Sequence, residues 1–318
     1  MLTLAIISAA FVAEAQQAGK VARIGVLCLI ACDGSGVDAF RLALRDLGYV
    51  ESRTLVFEYR AAEGKVDQLP ALAADLVQIK VDVIFTTWGT AAALAAKRAT
   101  ATIPVVMGAA GDPVRAGIVP ALAKPGGNVT GLSSLALELE SKRLELLKEA
   151  VPKVSRVGVF WDPENPYSAL AIKQEEMAAG ALGVRLHPVR LRGASDLENA
   201  FTELKRDRVE ALSVHGYVAT LQHRAAIIAF AAANRMAAIY PLREYVTEGG
   251  LLSYGANLAE ISRRAAHYVD RILKGAKPAE LPVEQPTRFE FAINLKTARA
   301  LGLTIAPALL LRADQVVE

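Results

Sequence analysis

The sequence predicts an α/β protein made of two doubly wound parallel-sheet lobes. Three observations carry this prediction. The length of 318 residues fits two domains of about 100–200 residues each. A hydrophobic fraction of 53% is enough to fill two cores. Short β-rich runs alternate with longer helical runs, as in parallel sheets with right-handed crossovers, and this series occurs twice along the chain.

The first series extends to about residue 132. Its first strand, residues 24–30, is apolar without alternation, which is typical of a strand covered on both faces. The helix that follows has Phe40, Leu44 and Leu47 at helical spacing and ends at Gly48. The other predicted elements of this series are strands at 55–60, 81–86, 103–107 and 129–132 and helices at 66–78 and 90–98.

The second series begins with a helix at residues 138–150. Further predicted strands lie at 156–161, 184–191, 211–214, 237–240 and 251–254, and further helices at 167–180, 196–205 and 220–234. The tail differs, because a long amphipathic helix at 258–274 precedes an extended stretch with Pro278, Pro282 and Pro286, a strand at 288–294 and a helix at 296–301. Proline-rich extended chain makes a stiff connection between domains.

We therefore expect the chain to pass between the lobes three times, near residues 132–135, 254–257 and 284–288. The predicted N-terminal lobe contains residues 23–132 and 256–284, and the C-terminal lobe contains residues 133–255 and 285–318.

The first residues favour export. An apolar run at residues 2–12 is too short for a membrane span, which needs about 20 residues, and it precedes the cleavage pattern Ala13-Glu14-Ala15. This layout predicts a signal peptide at residues 1–15, although no Lys or Arg comes before the apolar run. A buried N-terminal helix or strand is the alternative. No cysteine follows for lipid attachment, so the expected location is periplasmic without a lipid anchor.

Composition and motifs exclude several function classes. The formal net charge of +3 gives no support for nucleic-acid binding. The four histidines have no metal-ligand spacing, and no phosphate-binding loop, dinucleotide fingerprint or nucleophile elbow is present. The prediction is a protein that is not an enzyme and has no metal and no cofactor. Cys28 and Cys32 would lie about 13 Å apart in extended chain, too far for a disulfide unless the loop curls.

Candidate ligand-binding residues follow the strands, because open parallel sheets bind ligands beyond the carboxyl ends of their strands. Small residues, hydroxyls and free N–H groups at helix starts can hold carboxylates. The predicted ligand-binding residues are Ser35, Gly36, Thr87, Trp88, Gly89, Asp112, Asp162, Asn165, His215, Tyr240 and Tyr254.

Each chemical type in this set has an expected role. Thr87 and the Gly89 N–H would hold a carboxylate, and Trp88 and the tyrosines would pack against a ligand side chain. Asp112 and Asp162 each precede a proline, so either could accept an amino group or form an Asx turn. His215 would donate one hydrogen bond.

Several longer motifs occur together in one order. They are PGGNVTG at residues 125–131, REYV at 243–246, KGAKP at 274–278, LPVEQPT at 281–287 and INLKTA at 293–298. Together they resemble the ABC-transporter substrate-binding protein family that includes the tryptophan- and tyrosine-binding TrpX-like proteins, from about residue 23 to residue 317. The resemblance implies a type I periplasmic-binding-protein fold with the ligand in a cleft between the lobes. The loop at residues 32–36 departs from the family pattern.

The expected function is the periplasmic solute-binding component of an ABC importer. It would close by hinge bending around an amino acid or an aromatic or hydrophobic carboxylate. Its expected partners are a membrane permease and an ATPase, not nucleic acid, and it would be a monomer. The alternatives are a ligand-sensing receptor or regulatory effector domain of the same fold, and an enzyme on a doubly wound fold.

Overall fold

The computed structural model describes residues 21–318, apart from the side chains of Trp88 and Pro166. The predicted signal peptide lies outside the described residues. The first sheet has the order β2-β1-β3-β4-β5, and all its strands are parallel. Its strands are β1 (Ala22–Cys28), β2 (Leu55–Ala61), β3 (Val83–Trp88), β4 (Val105–Ala110) and β5 (Val129–Ser133). The helices between them are α1 (Ser35–Asp46), α2 (Leu69–Gln78) and α3 (Thr90–Ala99).

The second sheet has seven strands in the order β12-β11-β10-β9-β8-β6-β7. They are β6 (Arg156–Trp161), β7 (Arg185–Arg190), β8 (Ala211–Ser213), β9 (Ala237–Tyr240), β10 (Leu252–Ala256), β11 (Phe289–Asn294) and β12 (Gln315–Val317). The remaining helices are α4 (Glu138–Ala150), α5 (Pro166–Ala179), α6 (Leu197–Arg206), α7 (Val218–Gln222), α8 (Arg224–Ala233), α9 (Arg243–Thr247), α10 (Leu258–Leu273), α11 (Leu295–Leu301) and α12 (Pro307–Leu310).

The predicted architecture of two doubly wound α/β lobes is confirmed, with one difference in strand direction. β11 runs antiparallel to β10, while the other described strand pairs of this sheet are parallel. Between β10 and β11 the chain passes through the other lobe, where it forms α10, and returns by the proline-rich stretch, so no helix of this lobe crosses over the sheet between these two strands. The short elements α9, α12 and β12 are too brief to have a periodic signature in the sequence.

Strands β1, β4 and β5 of the first sheet are covered on both faces and are apolar, whereas the edge strand β2 is only partly buried. Val26 of β1 packs with Phe40 of α1 and Val269 of α10. The next residue, Leu27, belongs to the opposite core, with Leu76 of α2. Because successive side chains of a strand point to opposite faces, a strand between two cores is apolar at every position. Helix α10 thus belongs to the N-terminal lobe although it follows the second series in sequence.

Two of the crossings run side by side. Leu132 and Glu284 form an isolated parallel bridge. The Ser133 N–H donates to the Glu284 carbonyl at 2.9 Å, and the Glu284 N–H donates to the Gly131 carbonyl at 3.0 Å. The Arg264 guanidinium holds the Glu284 carboxylate through two hydrogen bonds of 2.7 Å. The remaining crossing lies between the end of β10 and the start of α10. The exact lobe boundaries stay a prediction.

The expectation that Cys28 and Cys32 are too far apart for a disulfide is wrong. They are bonded, with their Cα atoms 5.4 Å apart. β1 ends at Cys28 and the chain bends at residues 29 and 30, where the Leu29 carbonyl accepts a hydrogen bond of 2.8 Å from the Gly64 N–H. Loop-closure entropy for so small a ring contributes about 2 kcal/mol to stability. The bridge therefore restrains the first turn of the loop between β1 and α1.

Within residues 21–318 there is no helix with the length and apolar character needed to cross a membrane.

Candidate functional site

The loops at the carboxyl ends of the two sheets contact each other. The Ser35 hydroxyl donates to Oε1 of Glu244 in α9 at 3.3 Å. In the opposite direction, from the C-terminal to the N-terminal lobe, Nε2 of Gln222 in α7 donates to the Glu63 carbonyl at 2.9 Å. Ile30, in the disulfide-restrained loop, packs against the core of the C-terminal lobe. We call the region between these facing loops the cleft; in this conformation it is closed by direct contacts between the lobes.

The predicted site residues of the N-terminal lobe lie on these loops, but not all have the expected role. Ser35 contacts the opposite lobe, and Thr87 lies half-buried near the end of β3. Gly36 instead faces α10, since a Cβ there would lie 3.3 Å from the Ser262 hydroxyl. The Gly89 N–H donates to the Ala109 carbonyl at 3.1 Å, so in this conformation it is already engaged, and its role as a carboxylate donor stays a prediction. Trp88 ends β3, and its side chain is not among the described parts.

The predicted polar residues that follow β4 and β6 stabilise their own loops. The Asp112 carboxylate accepts hydrogen bonds from the backbone N–H groups of the second and third residues after it, at 3.1 and 3.0 Å. Oδ1 of Asp162 accepts from the Glu164 N–H at 2.9 Å. Of the two interpretations left open by the sequence, the structure contains the Asx turns. Asn165 is the N-cap of α5, since its Oδ1 accepts from the Tyr167 N–H at 3.0 Å.

The three remaining predicted residues belong to the interior or the crossings of the C-terminal lobe. Tyr240 is only 1% exposed and stacks on Tyr245 with ring centroids 4.7 Å apart, so its expected contact with ligand is replaced by core packing. Tyr254 packs against Phe289 of β11 next to a crossing, with centroids 5.9 Å apart. His215 is fully buried and is engaged inside the lobe, not free to donate to a ligand.

His215 belongs to a group of ionisable side chains in which Glu140, Arg143 and Glu175 are buried and Tyr167 is partly buried. The His215 Nε2 atom lies 2.8 Å from Oε2 of Glu175 in α5 and 3.5 Å from Oε2 of Glu140 in α4. Arg143, one turn further along α4, forms an ion pair with Glu140 and hydrogen-bonds it through Nε at 3.1 Å. The Tyr167 hydroxyl donates to Oε1 of Glu140 at 2.5 Å. We call Glu140, Arg143, Tyr167, Glu175 and His215 the buried network.

The charges of the buried network balance when His215 is protonated, because two carboxylates then face one guanidinium and one imidazolium. Burial alone would lower the pKa of His215, but the carboxylates of Glu140 and Glu175 outweigh it and raise that pKa above its ordinary value of 6.5. Burial would raise the pKa of Glu140, but Arg143 and His215 together lower it. Burial beside the Glu140 carboxylate raises the pKa of Tyr167 well above its ordinary value, so its hydroxyl is a donor.

Stability should therefore fall as the pH rises above neutrality. His215 has a higher pKa folded than unfolded, so its contribution is complete below about pH 6.5 and is lost as the pH rises through the folded value. The groups facing it are Glu140 and Arg143 of α4 and Glu175 and Tyr167 of α5. Urea unfolding from pH 6 to 8.5 should lose about 1.4 kcal/mol for each pH unit between the two pKa values.

The control for this prediction is a histidine on the surface. His267 of α10 is exposed, so His267→Gln should leave the pH profile of the free energy of unfolding unchanged, whereas His215→Gln should flatten it. A profile that is equally steep in wild type and His215→Gln would contradict the assignment.

The sequence did contain a signal for the buried network that the site prediction missed. Glu140 and Arg143 lie on the same face of α4 as Leu144 and Leu147, at positions i, i+3, i+4 and i+7. Two opposite charges on an otherwise apolar helix face are a sign of a buried ion pair. Glu175 likewise lies on the buried face of α5, with Ser168 and Ala171.

The comparison with family models decides the family. The model described as ABC transporter substrate binding protein matches residues 23–317, nearly the whole described chain. This chain belongs to that family. The resemblance expected from the five motifs is thereby confirmed, and the chain is a substrate-binding protein of an ABC transporter.

The chain is also similar to a curated protein and to several solved structures. A tyrosine-binding protein from Clostridioides difficile (strain R20291) is 27% identical over 264 residues, 83% of this chain and 75% of that protein. A conserved domain protein from Vibrio cholerae is 28% identical with a TM-score of 0.86, covering 93% of this chain and 100% of that chain. An ABC domain from Streptococcus pneumonia in complex with L-Trp is 25% identical with a TM-score of 0.85, covering 93% and 99%.

A more distant solved structure has the same fold. The leucine binding protein LivK from Thermotoga maritima is 15% identical with a TM-score of 0.59, covering 79% of this chain and 83% of that chain. At this identity the similarity concerns the fold alone. The chain has the type I periplasmic-binding-protein fold expected from the sequence, with two α/β lobes joined by three crossings.

Proposed function

We propose that this family member is the extracytoplasmic solute-binding component of an ABC importer, and that it binds an amino acid, with an aromatic amino acid as the first candidate, in the cleft. The observation that carries the proposal is the meeting of the loops at the carboxyl ends of both sheets. Ser35, Glu63 and Ile30 of one lobe contact the other lobe there. Parallel α/β sheets bind ligands at this end.

The ligand class is suggested by relatives that cover most of this chain. One is a tyrosine-binding protein and another is an ABC domain in complex with L-Trp. An amino acid that touches both lobes would bind the closed form more tightly than the open form, and this difference would drive closure. A permease and an ATPase would be the partners, with the solute-binding protein acting as a monomer.

The proposed location outside the cytoplasm has independent support in the disulfide. The bond between Cys28 and Cys32 suits an oxidising compartment, since disulfides are rare in the reducing cytosol. It agrees with the signal peptide predicted at residues 1–15, for which cleavage near Gln16 would be the direct test.

Ligand binding is testable by thermal unfolding of the purified mature protein with each of the twenty L-amino acids. A ligand at about 100 times its dissociation constant adds about 2.7 kcal/mol of stability and raises the melting temperature by several degrees. We expect such a rise with tryptophan, tyrosine or phenylalanine, followed by calorimetry to obtain the dissociation constant. No rise with any amino acid would contradict the proposed ligand class.

A matched pair of glycine variants tests the placement in the cleft. A Cβ at Gly111 would lie 3.4 Å from the Thr90 hydroxyl and 3.8 Å from the ring of Tyr167 in the other lobe, so Gly111→Trp would obstruct closure. Gly127 has open space around it, so Gly127→Trp is the control. The proposal expects the ligand-induced rise to vanish in the first variant and to persist in the second.

A further inference from the structure

Tyr167 is a residue of the C-terminal lobe whose ring faces Gly111 of the N-terminal lobe across the cleft. It lies in the first turn of α5, where Asn165 caps the helix. Its ring is in van der Waals contact with the position that a Cβ of Gly111 would occupy, at 3.8 Å from Cδ2. Gly111 directly follows β4, in one of the loops that the sequence predicts to contact ligand. Tyr167 therefore forms an aromatic wall where the two lobes meet.

The orientation of this ring depends on a residue behind it. The Tyr167 hydroxyl donates to Oε1 of Glu140 at 2.5 Å, and Glu140 is fully buried in α4. Hydrogen bonds to a charged acceptor are shorter and stronger than neutral ones. A second interaction holds Glu140 itself, the ion pair with Arg143, which is also almost completely buried. The Tyr167 hydroxyl is thus held by a buried side chain of α4, behind the first turn of α5 that carries the ring.

The same residues reach two crossings. Glu140 lies in the first turn of α4, which starts five residues after the end of β5 and so directly follows the first crossing. Nη1 of Arg143 donates to the Tyr254 carbonyl at 2.9 Å, and Tyr254 lies in β10 just before the crossing that leads to α10. An unbroken series of contacts therefore runs from the cleft wall, through Glu140 and Arg143, to the segments that must bend when the lobes separate.

We propose that Glu140 is a positioning residue for ligand binding: it fixes Tyr167 as a wall of the cleft and, through Arg143, connects that wall to the crossing at Tyr254. This inference rests on the proposed function, since it assumes that the cleft holds the ligand. A wall that is already in place loses little side-chain entropy when the lobes close, and pre-organisation of this kind increases affinity. Loss of the hydrogen bond should weaken both ligand binding and the closed state.

The primary test compares Tyr167→Phe with Ser141→Ala. Tyr167→Phe keeps the ring and removes only the hydroxyl. Ser141→Ala removes another hydrogen bond between the same two helices, from the Ser141 hydroxyl to the Gln174 carbonyl at 2.7 Å, which does not involve the cleft. With the amino acid identified by thermal unfolding, Tyr167→Phe should raise the dissociation constant about tenfold, the effect of about 1.4 kcal/mol. Ser141→Ala should stay within twofold of wild type.

A second pair of variants isolates the acceptor. Glu140→Gln and Glu140→Ala both remove the negative charge beside Arg143, but only glutamine keeps an oxygen that can accept from Tyr167. Binding should be about tenfold weaker in Glu140→Ala than in Glu140→Gln, measured at a temperature at which circular dichroism shows both to be folded. Equal dissociation constants in this pair, or in Tyr167→Phe and wild type, would overturn the inference.

A ligand-free measurement separates this inference from the proposed function. Small-angle X-ray scattering without any amino acid should give a larger radius of gyration for Tyr167→Phe than for wild type and Ser141→Ala. If the wild-type protein binds no amino acid, the proposed ligand class is wrong. The radius of gyration then still shows whether Tyr167 stabilises the closed state. Unchanged scattering from Tyr167→Phe would overturn the connection between the wall and the crossings.

Discussion

Replacing Arg143 with methionine should lower the free energy of unfolding by about 3–5 kcal/mol. The guanidinium is almost completely buried and is the partner of an equally buried Glu140. Methionine fills much of the same space but carries no charge. The negative charges of Glu140 and Glu175 would then have only the positive charge of His215 to balance them. It also leaves the Tyr254 carbonyl without the hydrogen bond that Arg143 donates. Urea unfolding at pH 7 measures the loss.

The control lies one residue earlier on the same helix. Lys142 pairs with Glu145 at 2.7 Å, but both side chains are more than 40% exposed. An exposed pair of this kind contributes about 0–1 kcal/mol, so Lys142→Met should change the free energy of unfolding by no more than that. Similar losses in Arg143→Met and Lys142→Met would mean that Arg143 is exchangeable and that the buried network does not stabilise the lobe.

Gly131→Ala should cost about 2–4 kcal/mol, because two effects act at this position. Gly131 has φ +126°, a backbone conformation that favours glycine. A Cβ there would also lie 2.3 Å from the carbonyl oxygen of Met107 in the neighbouring strand β4. The backbone of β5 would have to move away from β4, and the hydrogen bond from the Glu284 N–H to the Gly131 carbonyl would weaken with it.

The matched control is Gly127, four residues earlier in the same PGGNVTG motif. Nothing lies within 4 Å of a Cβ at this position, and its φ is not in the left-handed region. Gly127→Ala should therefore change the free energy of unfolding by less than about 1 kcal/mol. If both alanine variants unfold at the same urea concentration, the close approach of β4 and β5 is not what requires glycine at residue 131.

The fold could be predicted from the sequence because its strands and helices have strong periodic signatures. The uninterrupted apolar run at residues 24–30, of which residues 24–28 lie in β1, reflects two cores, one on each side of Val26 and Leu27. Short elements and chain direction were not predictable in the same way. β12 has three residues, and the antiparallel direction of β11 depends on where the third crossing enters the sheet.

The partners of the candidate site residues were harder to predict than the fold, because the position of a loop does not determine the partner of a side chain. Asp112 and Asp162 lie on the predicted loops, yet their carboxylates accept from backbone N–H groups. Tyr240 ends a strand as expected but stacks on Tyr245 in the core, a contact set by tertiary packing. The disulfide between Cys28 and Cys32 depends on a bend that local spacing alone could not reveal.

The most direct test of the account is a crystal structure of the mature protein with tryptophan or tyrosine, whichever gives the larger rise in melting temperature. The account predicts that the amino acid lies between the lobes, bordered by the loop at Gly111 and the ring of Tyr167, with both lobes contributing contacts. An amino acid bound on the outer surface of one lobe, with Tyr167 far from it, would contradict the account.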